Sequence, residues 1–531
     1  MKSWSAIKSY VLIPALVQSI CLHAQLPALK ISENKRFLVT ENGKPFFWMG
    51  DTGWELFHRL SKKETIFYFK KRSEQGFNVI QAVVLAELDG LHTPNTNGDL
   101  PLIQDDPLKP NAPYFNYIDT MLDLAAENNL YIALLPTWGD KVYKNKWGKG
   151  PEIFNESNAF AYGKWIGARY KNHTNIIWVV GGDRSPRDSS NDVAIWRAMA
   201  AGIREGIGKG KEILMTFHPQ PDGTSSSSQW FQEDPWLNIN MLQTGHCRDT
   251  PVWELVNNDY IKKPVKPVIN GENIYEEMPV CFNPKELGYA NAYDVRKSAY
   301  LSVFAGACGH TYGCGPVIWF SKKGADFFSA FHSWDEGLNL AGANEMIYLK
   351  KLVESRPMLE RIPDQSMLLD TGKGLSERIQ ATRGKDYAFI YSAYGNPIHI
   401  KMNIISGKKI AASWYDPRNG KTTFIGNFEN KGNQTFVPPL PVASPVPSQR
   451  EDWILILDNA EKKPGNYSSS EILMSSLSPL SSERSVSSLV FFENSLNHPP
   501  DAINEEGKPL SITLPSSRTT ILSASLTIEN R

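Results

Sequence analysis

The sequence predicts an α/β fold, a (β/α)8 TIM barrel, followed by a small all-β sandwich domain. Eight short apolar runs lie between residues 46 and 312, and helical patterns separate most of them, which is typical of parallel βαβ units. Eight such units close naturally into a barrel of ordinary size. Later in the chain, alternating strand-like runs separated by turn signals indicate the sandwich. A doubly wound open sheet is the alternative, but no GxGxxG or GxxxxGK[ST] motif follows an early strand.

The elements of the barrel follow from apolar periodicity and turn signals. Residues 29–44 have the pattern of a hairpin, with Asn42-Gly43 as the turn. A helix over 61–75 begins at Ser61, and Glu64 three residues later completes a capping box. The predicted barrel strands cover 46–50, 77–84, 131–136, 175–180, 212–217, 238–243, 267–270 and 310–312. The other predicted helices cover 114–128, 159–170, 193–206 and 292–305.

The chain ends are predicted to lie outside these domains. Lys2 and Lys8 precede a short apolar stretch that ends before Ala24, which is typical of a signal peptide over 1–24 and of a secreted or periplasmic protein. A lipid anchor on Cys21 is the alternative. The catalytic barrel is expected over 28–360 and the sandwich over 365–458. The Ser-rich segment 459–531 is predicted to be largely disordered.

Composition limits the classes of function. Lys+Arg and Asp+Glu each number 56, so the formal net charge is zero and no large basic surface is available for nucleic acid. The amino-terminal apolar stretch is short for a membrane span, and no other segment is long and apolar enough to cross a membrane. The sequence contains no HExxH and no GxSxG, so neither a zinc protease nor a common serine hydrolase is indicated, and no metal or cofactor is expected. The four cysteines beyond residue 24 allow three disulfide pairings, and spacing selects none.

Polar and aromatic side chains follow the predicted strands at their carboxyl ends, which converge on one mouth in a barrel. Carboxylates among aromatic and amide side chains suit glycoside hydrolysis, in which one acid protonates the leaving oxygen and a second carboxylate attacks or activates water. The expected mouth residues are Asp51, Trp54, Trp138, Asp183, His218, Gln243, His246, Glu272 and Tyr312. The 15 Trp and 20 Tyr of the chain add flat faces suited to sugar rings, although core packing also uses such residues.

Asp183 and Glu272 form the best candidate catalytic pair. Each follows an apolar strand and a glycine, and strands four and seven face each other across the mouth. A helix cap or an ion pair with Arg184 is the alternative role for Asp183, and a salt bridge is the alternative for Glu272. The other seven mouth residues are candidate substrate-binding groups; helix capping is the alternative role for Asp51, and core packing is the alternative for Trp54 and Trp138. Three rival carboxylates occupy similar positions: Glu87, Asp89 and Asp140.

Several motifs resemble those of the apiosidase-like catalytic domain, glycoside hydrolase family 140, over residues 28–360. They are FWMGDTGW at 47–54, GGD at 181–183, QTGH at 243–246, NGE at 270–272 and HTYG at 310–313. The resemblance implies a barrel in which Asp183 is the general acid/base and Glu272 the nucleophile of a retaining mechanism. It also implies cleavage at D-apiose in side chains of the pectin rhamnogalacturonan II. The later segment looks like the putative collagen-binding domain that follows the barrel in this family.

The expected ligand is therefore a polysaccharide or oligosaccharide, with neither nucleic acid nor a membrane span involved. Two alternatives stay open. The chain could be a glycosidase on another plant glycan, such as a galactoside or another furanoside, or a non-catalytic carbohydrate- or matrix-binding protein.

As a general acid, Asp183 is expected to have a raised pKa in the free enzyme.

Overall fold

The computed structural model describes residues 25–145, 148–222, 224–326, 328–439 and 451–462. The predicted signal peptide with Cys21, and the predicted disordered tail beyond residue 462, lie outside the described residues. Within the described part of the chain, no helix has the length and apolar character needed to cross a membrane.

Eight parallel strands form the central sheet, and three short antiparallel strands precede them. The first three are β1 (Leu29–Ile31), β2 (Leu38–Thr40) and β3 (Pro45–Phe46). The barrel strands are β4 (Trp48–Thr52), β5 (Val79–Leu85), β6 (Tyr131–Thr137), β7 (Ile176–Gly181), β8 (Met215–His218), β9 (Asn240–Gln243), β10 (Val268–Glu272) and β11 (Gly309–Tyr312). Their order is β8-β7-β6-β5-β4-β11-β10-β9, as consecutive βαβ units around a barrel require.

The seam between β8 and β9 closes the barrel. The backbone N–H of Asn238 donates to the Met215 carbonyl at 2.9 Å, and the Asn238 side-chain oxygen accepts from the Met215 N–H at 2.9 Å. The hydroxyl of Thr216 donates to the Ile239 carbonyl at 2.8 Å. One backbone bond and two side-chain bonds thus take the place of a regular ladder of backbone hydrogen bonds between β8 and β9. The edges of these two strands are therefore not left unpaired. The predicted (β/α)8 fold is confirmed.

Helices surround the strands, and the one capping box predicted from the sequence is formed. The helices are α1 (Leu56–Arg59), α2 (Lys62–Glu74), α3 (Ala112–Glu127), α4 (Glu156–Tyr170), α5 (Asp192–Ile207), α6 (Ser228–Phe231), α7 (Val252–Tyr260), α8 (Pro284–Leu287), α9 (Ala292–Phe304), α10 (Gly315–Ile318), α11 (Trp334–Gly337) and α12 (Ala341–Glu354). Short 3-10 turns occur at Gly139–Lys141, Val280–Phe282, Met358–Glu360 and Gln365–Met367. Both bonds of the capping box between Ser61 and Glu64 are formed at the start of α2.

The first predicted strand, 46–50, is divided between two sheets. Pro45–Phe46 pairs with β2, whereas Trp48–Thr52 pairs with β5 and β11 inside the barrel. The apolar run is continuous because both parts are packed against the core, so composition gives no sign of the break. The fifth strand likewise starts later than predicted, at Met215 rather than Glu212.

An antiparallel β domain follows the barrel, as predicted. Its strands are β12 (Ile362–Pro363), β13 (Ile379–Arg383), β14 (Tyr387–Ser392), β15 (Ile398–Lys401), β16 (Lys409–Tyr415), β17 (Thr422–Glu429), β18 (Asn433–Phe436) and β19 (Trp453–Asn459). Six of them form one sheet in the order β12-β13-β14-β19-β16-β17, and β15 pairs with β18 in a second sheet. Ala388 and Ile390 of the large sheet pack with Ile398 and Phe436 of the small one. Two inner faces therefore enclose the domain core, as in a sandwich.

The other face of the large sheet packs on the barrel. In β14, Phe389 and Tyr391 alternate with the residues that face the sandwich core and join the core of the barrel. Tyr391 stacks on Tyr300 of α9, with ring centroids 5.0 Å apart. Arg296 of α9 donates two hydrogen bonds, of 2.9 and 2.6 Å, to the buried carboxylate of Asp452. The β domain is thus anchored to α9 by both apolar packing and a bidentate ion pair.

Candidate active site

Backbone geometry at the end of β7 places Asp183 at the mouth of the barrel. Gly181 has a φ of +83°, and Asp183 itself has a φ of +46°, a left-handed conformation that Asp tolerates better than most residues. A Cβ on Gly182 would lie 2.6 Å from the Trp138 ring, so only glycine allows this close approach. The two glycines before Asp183 therefore allow the chain to turn sharply while its backbone packs against the Trp138 ring.

The Asp183 carboxyl group lies between an arginine and an amide. Arg184 Nη1 is 2.9 Å from Asp183 Oδ2, so the ion pair considered from the sequence is present. The side chain of Gln243, at the end of β9, also hydrogen-bonds to the carboxyl. Burial and the negative charge of Glu272 nevertheless raise the pKa of Asp183 above its usual value. Its side chain is 19% exposed, which leaves an edge open to a ligand.

Glu272 ends β10 and is held by two histidines. His218 Nε2, at the end of β8, lies 3.0 Å from one carboxylate oxygen, and His246 Nε2 lies 3.2 Å from the other. Burial alone would raise the pKa of this carboxyl, but hydrogen bonds from the two imidazoles lower the pKa of Glu272 to about 2. The two candidate carboxyl groups therefore have pKa values shifted in opposite directions, as an acid and a nucleophile require.

The hydrogen bonds around the two imidazoles determine where their protons lie. The Asp183 backbone N–H donates to His218 Nδ1 at 3.3 Å, so His218 carries its proton on Nε2, facing Glu272. His246 Nδ1 is 2.8 Å from the Asn273 carbonyl, which can only accept, so this nitrogen carries a proton. An ionised Glu272 therefore faces the Nε2 atom of each imidazole, the position from which an N–H can donate to it.

Aromatic side chains enclose this network. Trp54 and Trp138 lie 5.1 Å apart and pack against the His218 ring at 5.4 and 6.1 Å, and each is only 2% exposed. Both support the histidine rather than present a free face. Tyr275 is buried, and the charge of Glu272 adds to burial in raising the pKa of its phenol, which keeps a proton donor beside the carboxylate. The Tyr275 ring packs directly against the backbone of Gly313, where a Cβ would lie only 2.0 Å from the ring.

Two of the expected mouth residues lie elsewhere. Asp51 is fully buried against α2, where Arg72 Nε and the Tyr68 hydroxyl each donate to it at 2.6 Å. The buried Tyr312 hydroxyl donates to Glu276 at 2.6 Å. Side chains of a strand alternate between its faces, and these two point outward to the helix layer. The structure thus places both in the packing around the barrel rather than in the mouth, as a correction to their expected positions.

The rival carboxylates are partly accounted for by other contacts. Asp89 is half-buried and pairs with His92 at 2.7 Å, and buried Asp140 pairs with Lys141 at 2.7 Å. Glu87 is half-buried at the mouth and accepts from Trp319 Nε1 at 2.7 Å. Burial and the charge of Glu55 raise the pKa of Glu87 to about 8, so this carboxyl is a second proton donor near Asp183.

An aromatic rim and a disulfide complete the mouth, and neither was predicted from the sequence. Trp319 packs on Phe328 at 4.7 Å, and Phe282, which is 56% exposed, packs on the His246 ring at 5.6 Å. The disulfide Cys247–Cys281 joins the segments that carry His246 and Phe282. Cys308 and Cys314 are free and buried. The sequence offered one signal for the disulfide: Cys247 directly follows the mouth residue His246. Cys281 in turn directly precedes Phe282.

The arrangement can supply one proton and one carboxylate nucleophile at the same mouth. Asp183 and Glu272, with His218, Gln243 and His246 around them, are brought together from the ends of four strands, β7 to β10. In the described part of the chain, no group of three or more His, Cys, Asp or Glu side chains is arranged to hold a metal ion.

Comparisons with known proteins agree with this geometry. Residues 32–360 match the family model "Apiosidase-like, catalytic domain", and residues 362–458 match "Putative collagen-binding domain of a collagenase". A solved structure named only as a glycoside hydrolase is 36% identical, with a TM-score of 0.73, and the match covers 82% of this chain and 98% of that one. A glycoside hydrolase family 5 structure from Bacteroides vulgatus is 35% identical, with a TM-score of 0.74 and coverages of 82% and 94%.

A putative glycoside hydrolase from the same organism shares the fold at 14% identity, with a TM-score of 0.58 and coverages of 81% and 82%. The comparison with curated proteins gives no match.

Proposed function

The chain belongs to the apiosidase-like family of glycoside hydrolases, and from this premise we propose that it cleaves apiose-containing linkages in pectin by a retaining mechanism. In this proposal Asp183 is the general acid/base and Glu272 the nucleophile. The observation that carries the assignment is the opposite shift of the two pKa values at one mouth: burial and Glu272 raise that of Asp183, while two histidines lower that of Glu272. The apiose and pectin specificity follows from the family alone.

The first chemical step uses both groups at once. The protonated Asp183 gives its proton to the glycosidic oxygen while the Glu272 carboxylate attacks the anomeric carbon. The bond between that carbon and the leaving oxygen breaks, and an ester between the sugar and Glu272 forms. His218 and His246 keep Glu272 ionised before attack, and their donors stabilise the carboxylate again when it leaves.

The second step reverses these roles. Asp183, now a carboxylate, takes a proton from water, and the water oxygen attacks the anomeric carbon. Glu272 leaves as a carboxylate and the sugar is released with its original anomeric configuration. Because the Glu272 charge is absent in the ester, the pKa of Asp183 falls at the stage where a base is needed. NMR of the first-formed anomer tests this step, and inversion would refute the proposed nucleophile.

The deciding experiment is product analysis on rhamnogalacturonan II side-chain oligosaccharides with wild type, Glu272→Gln and Glu87→Gln. Glu87→Gln is the matched control, because it makes the same change in a second mouth carboxyl. Apiose-linked cleavage by wild type and Glu87→Gln, lost in Glu272→Gln, supports the proposal. Loss only in Glu87→Gln would move the catalytic role to Glu87. If wild type is inactive on pectin but cleaves galactosides or other furanosides, the proposed substrate is wrong and the glycosidase mechanism stands.

A further inference from the structure

Six lysines lie together at one end of the β domain, where the turns between its strands meet. All six are exposed: Lys385, Lys401, Lys408, Lys409, Lys431 and Lys462. We propose that this lysine patch binds the carboxylates of an acidic polysaccharide made of uronate units, and that it holds the barrel close to the polymer. The inference deepens the proposed function and rests on it for the choice of polymer, since pectin is built largely of uronate units.

Backbone hydrogen bonds bring the lysines together from separate turns. The turn between β13 and β14 carries Lys385, whose carbonyl accepts from the Ser406 N–H at 2.9 Å. The loop between β15 and β16 carries Lys408, whose carbonyl accepts from the Asn430 N–H at 2.9 Å. Lys431 directly follows Asn430 in the turn between β17 and β18. Three turns that are separate in the chain thus present their lysines at the same end of the domain.

Two more lysines lie at strand ends next to these turns. Lys401 ends β15 and is followed by Met402, whose N–H donates to the Gly432 carbonyl at 2.8 Å. Lys409 begins β16, and its carbonyl accepts from the Ala460 N–H at 3.0 Å, just beyond the end of β19. The patch is therefore continuous from β13 to the end of β19.

Side-chain amides fix the loop between β15 and β16. Asn430 Nδ2 donates to the carbonyls of Ile405 and Gly407 at 2.8 and 2.7 Å. Asn459 Nδ2 donates to the Ser406 hydroxyl at 2.9 Å. Because the backbone that carries the lysines is already ordered, less conformational entropy is lost when a ligand binds.

Positive charge exceeds negative charge at this end of the domain, although the whole chain is neutral. Three carboxylates adjoin the six lysines: Asp386, Glu429 and Glu461. Lys462 pairs with Asp386 at 2.5 Å, and Glu429 lies opposite Lys409 in the ladder between β16 and β17. The other five lysines of the patch make no ion pair with a carboxylate of the described residues. The patch therefore has cationic groups available to an anionic ligand.

A groove of about 570 Å³ lies beside the patch and combines charge with apolar surface. Lys385 lines it with half-buried Ile404 and Ser406, and Glu360 and Arg383 add one charge of each sign. A uronate unit has a carboxylate, hydroxyl groups and C–H faces, so it matches a surface that offers a cation, polar groups and an apolar side chain. The volume of the groove is within the usual range for small-ligand sites.

The composition of the patch favours a uronate polymer over nucleic acid. Duplex DNA carries about one charge per 1.7 Å, and its binding requires many closely spaced cations. The patch instead has carboxylates between its lysines, which suits a polymer with one charge per sugar unit. Single-stranded nucleic acid stacks on aromatic side chains, and neither the lysine patch nor the lining of the groove includes one. Binding at the β domain raises the local concentration of polymer near the barrel.

Binding of the full chain to polygalacturonate, measured by isothermal titration calorimetry, tests the proposal. Fully methyl-esterified polygalacturonate has the same sugar without the charge, and wild type should bind it at least about tenfold more weakly. Binding to the acidic form should weaken as NaCl rises from about 50 to about 500 mM, because salt screens exposed charges. The triple variant Lys385→Gln, Lys408→Gln and Lys431→Gln should lose about tenfold in affinity. The matched control removes the same charge from α2 and should stay within about twofold: Lys62→Gln, Lys63→Gln and Lys70→Gln.

Equal binding of the acidic and esterified polymers, or wild-type affinity in the folded triple variant of the patch, overturns the proposal. Tighter binding to duplex DNA or to phosphatidylserine vesicles than to polygalacturonate at the same salt also overturns it. Hydrolysis of short pectin oligosaccharides is measured alongside, since it does not require the patch. Wild type that binds polygalacturonate but cleaves no pectin oligosaccharide refutes the proposed function and supports the patch. Cleavage without binding refutes the patch alone, so the two failures are distinguishable.

Discussion

Replacing His246 tests how Glu272 is kept ionised. In the structure His246 Nδ1 donates to the Asn273 carbonyl and Nε2 lies 3.2 Å from Glu272. The amide of an Asn side chain reaches the Nδ1 position, so His246→Asn keeps the first bond and removes the second. His246→Gln instead places a neutral donor near the Nε2 position. The pair separates complete loss of the contact with Glu272 from replacement of the imidazole by a neutral amide donor.

The size of the effect follows from the contact that is lost. A charge-assisted hydrogen bond contributes about 1.5–3 kcal/mol, and one pKa unit corresponds to about 1.36 kcal/mol. Glu272 is only 7% exposed, so solvent screens this contact little. His246→Asn should therefore raise the pKa of Glu272 by about one to two units. The starting value is about 2. His246→Gln keeps a neutral hydrogen bond and should give a smaller rise.

The acid limb of kcat/KM between pH 3 and 8 measures this shift. The nucleophile must be ionised, so activity falls as pH drops through the pKa of Glu272, and a raised pKa moves that fall to higher pH. At pH 4 wild type should keep nearly all of its plateau activity, whereas His246→Asn should lose up to about half. His173→Asn is the control, since His173 faces Asp123 at 3.9 Å on the outer helices. Superimposable acid limbs for wild type and a folded His246→Asn would refute the reasoning.

Three further perturbations test the acid, a buried ion pair and the disulfide. Asp183→Asn should lower kcat roughly 10²- to 10⁴-fold and abolish the basic limb, since burial and the second carboxylate raise the pKa of Asp183; a surviving basic limb contradicts its role. Arg72→Met leaves fully buried Asp51 without its cation and should lower the free energy of unfolding by about 3–5 kcal/mol in denaturant titrations, whereas a loss below about 1 kcal/mol refutes this. Cys247→Ser with Cys281→Ser opens a bridge across 34 residues and should lower the free energy of unfolding by about 3–4 kcal/mol relative to the disulfide-bonded wild type, measured the same way; a reduced wild type as stable as the bonded one contradicts this.

Local patterns in the sequence were sufficient to predict the barrel and the position of Asp183 and Glu272 at its mouth. Apolar runs of strand length, helical periodicity and the Ser61–Glu64 capping box depend on neighbouring residues, and the structure has them where they were expected. The boundary at Phe47 was missed, because one continuous apolar run supplies strands to two different sheets. Strand ends are poorly determined whenever both sides of a break are buried.

The composition of the mouth was harder to predict. Because parallel strands end at one mouth, residues that directly follow a strand were expected there. The structure has His218, Gln243 and His246 beside the two carboxylates, as expected. The same rule misplaced Asp51 and Tyr312, because it ignores the alternation of side chains along a strand. One residue of register moves a side chain from the mouth to the helix layer.

What the sequence by itself determined is the set of groups available for chemistry: two carboxylates after glycines, histidines after two strands, and no metal-binding motif. What only the tertiary structure decided is their protonation. Two hydrogen bonds, from the Asp183 backbone to His218 and from His246 to Asn273, set the protons that hold Glu272 as an anion. The Cys247–Cys281 pairing was decided in the same way. The physical reason is that pKa values and disulfides depend on distances of a few ångströms between segments far apart in the chain, which no local pattern encodes.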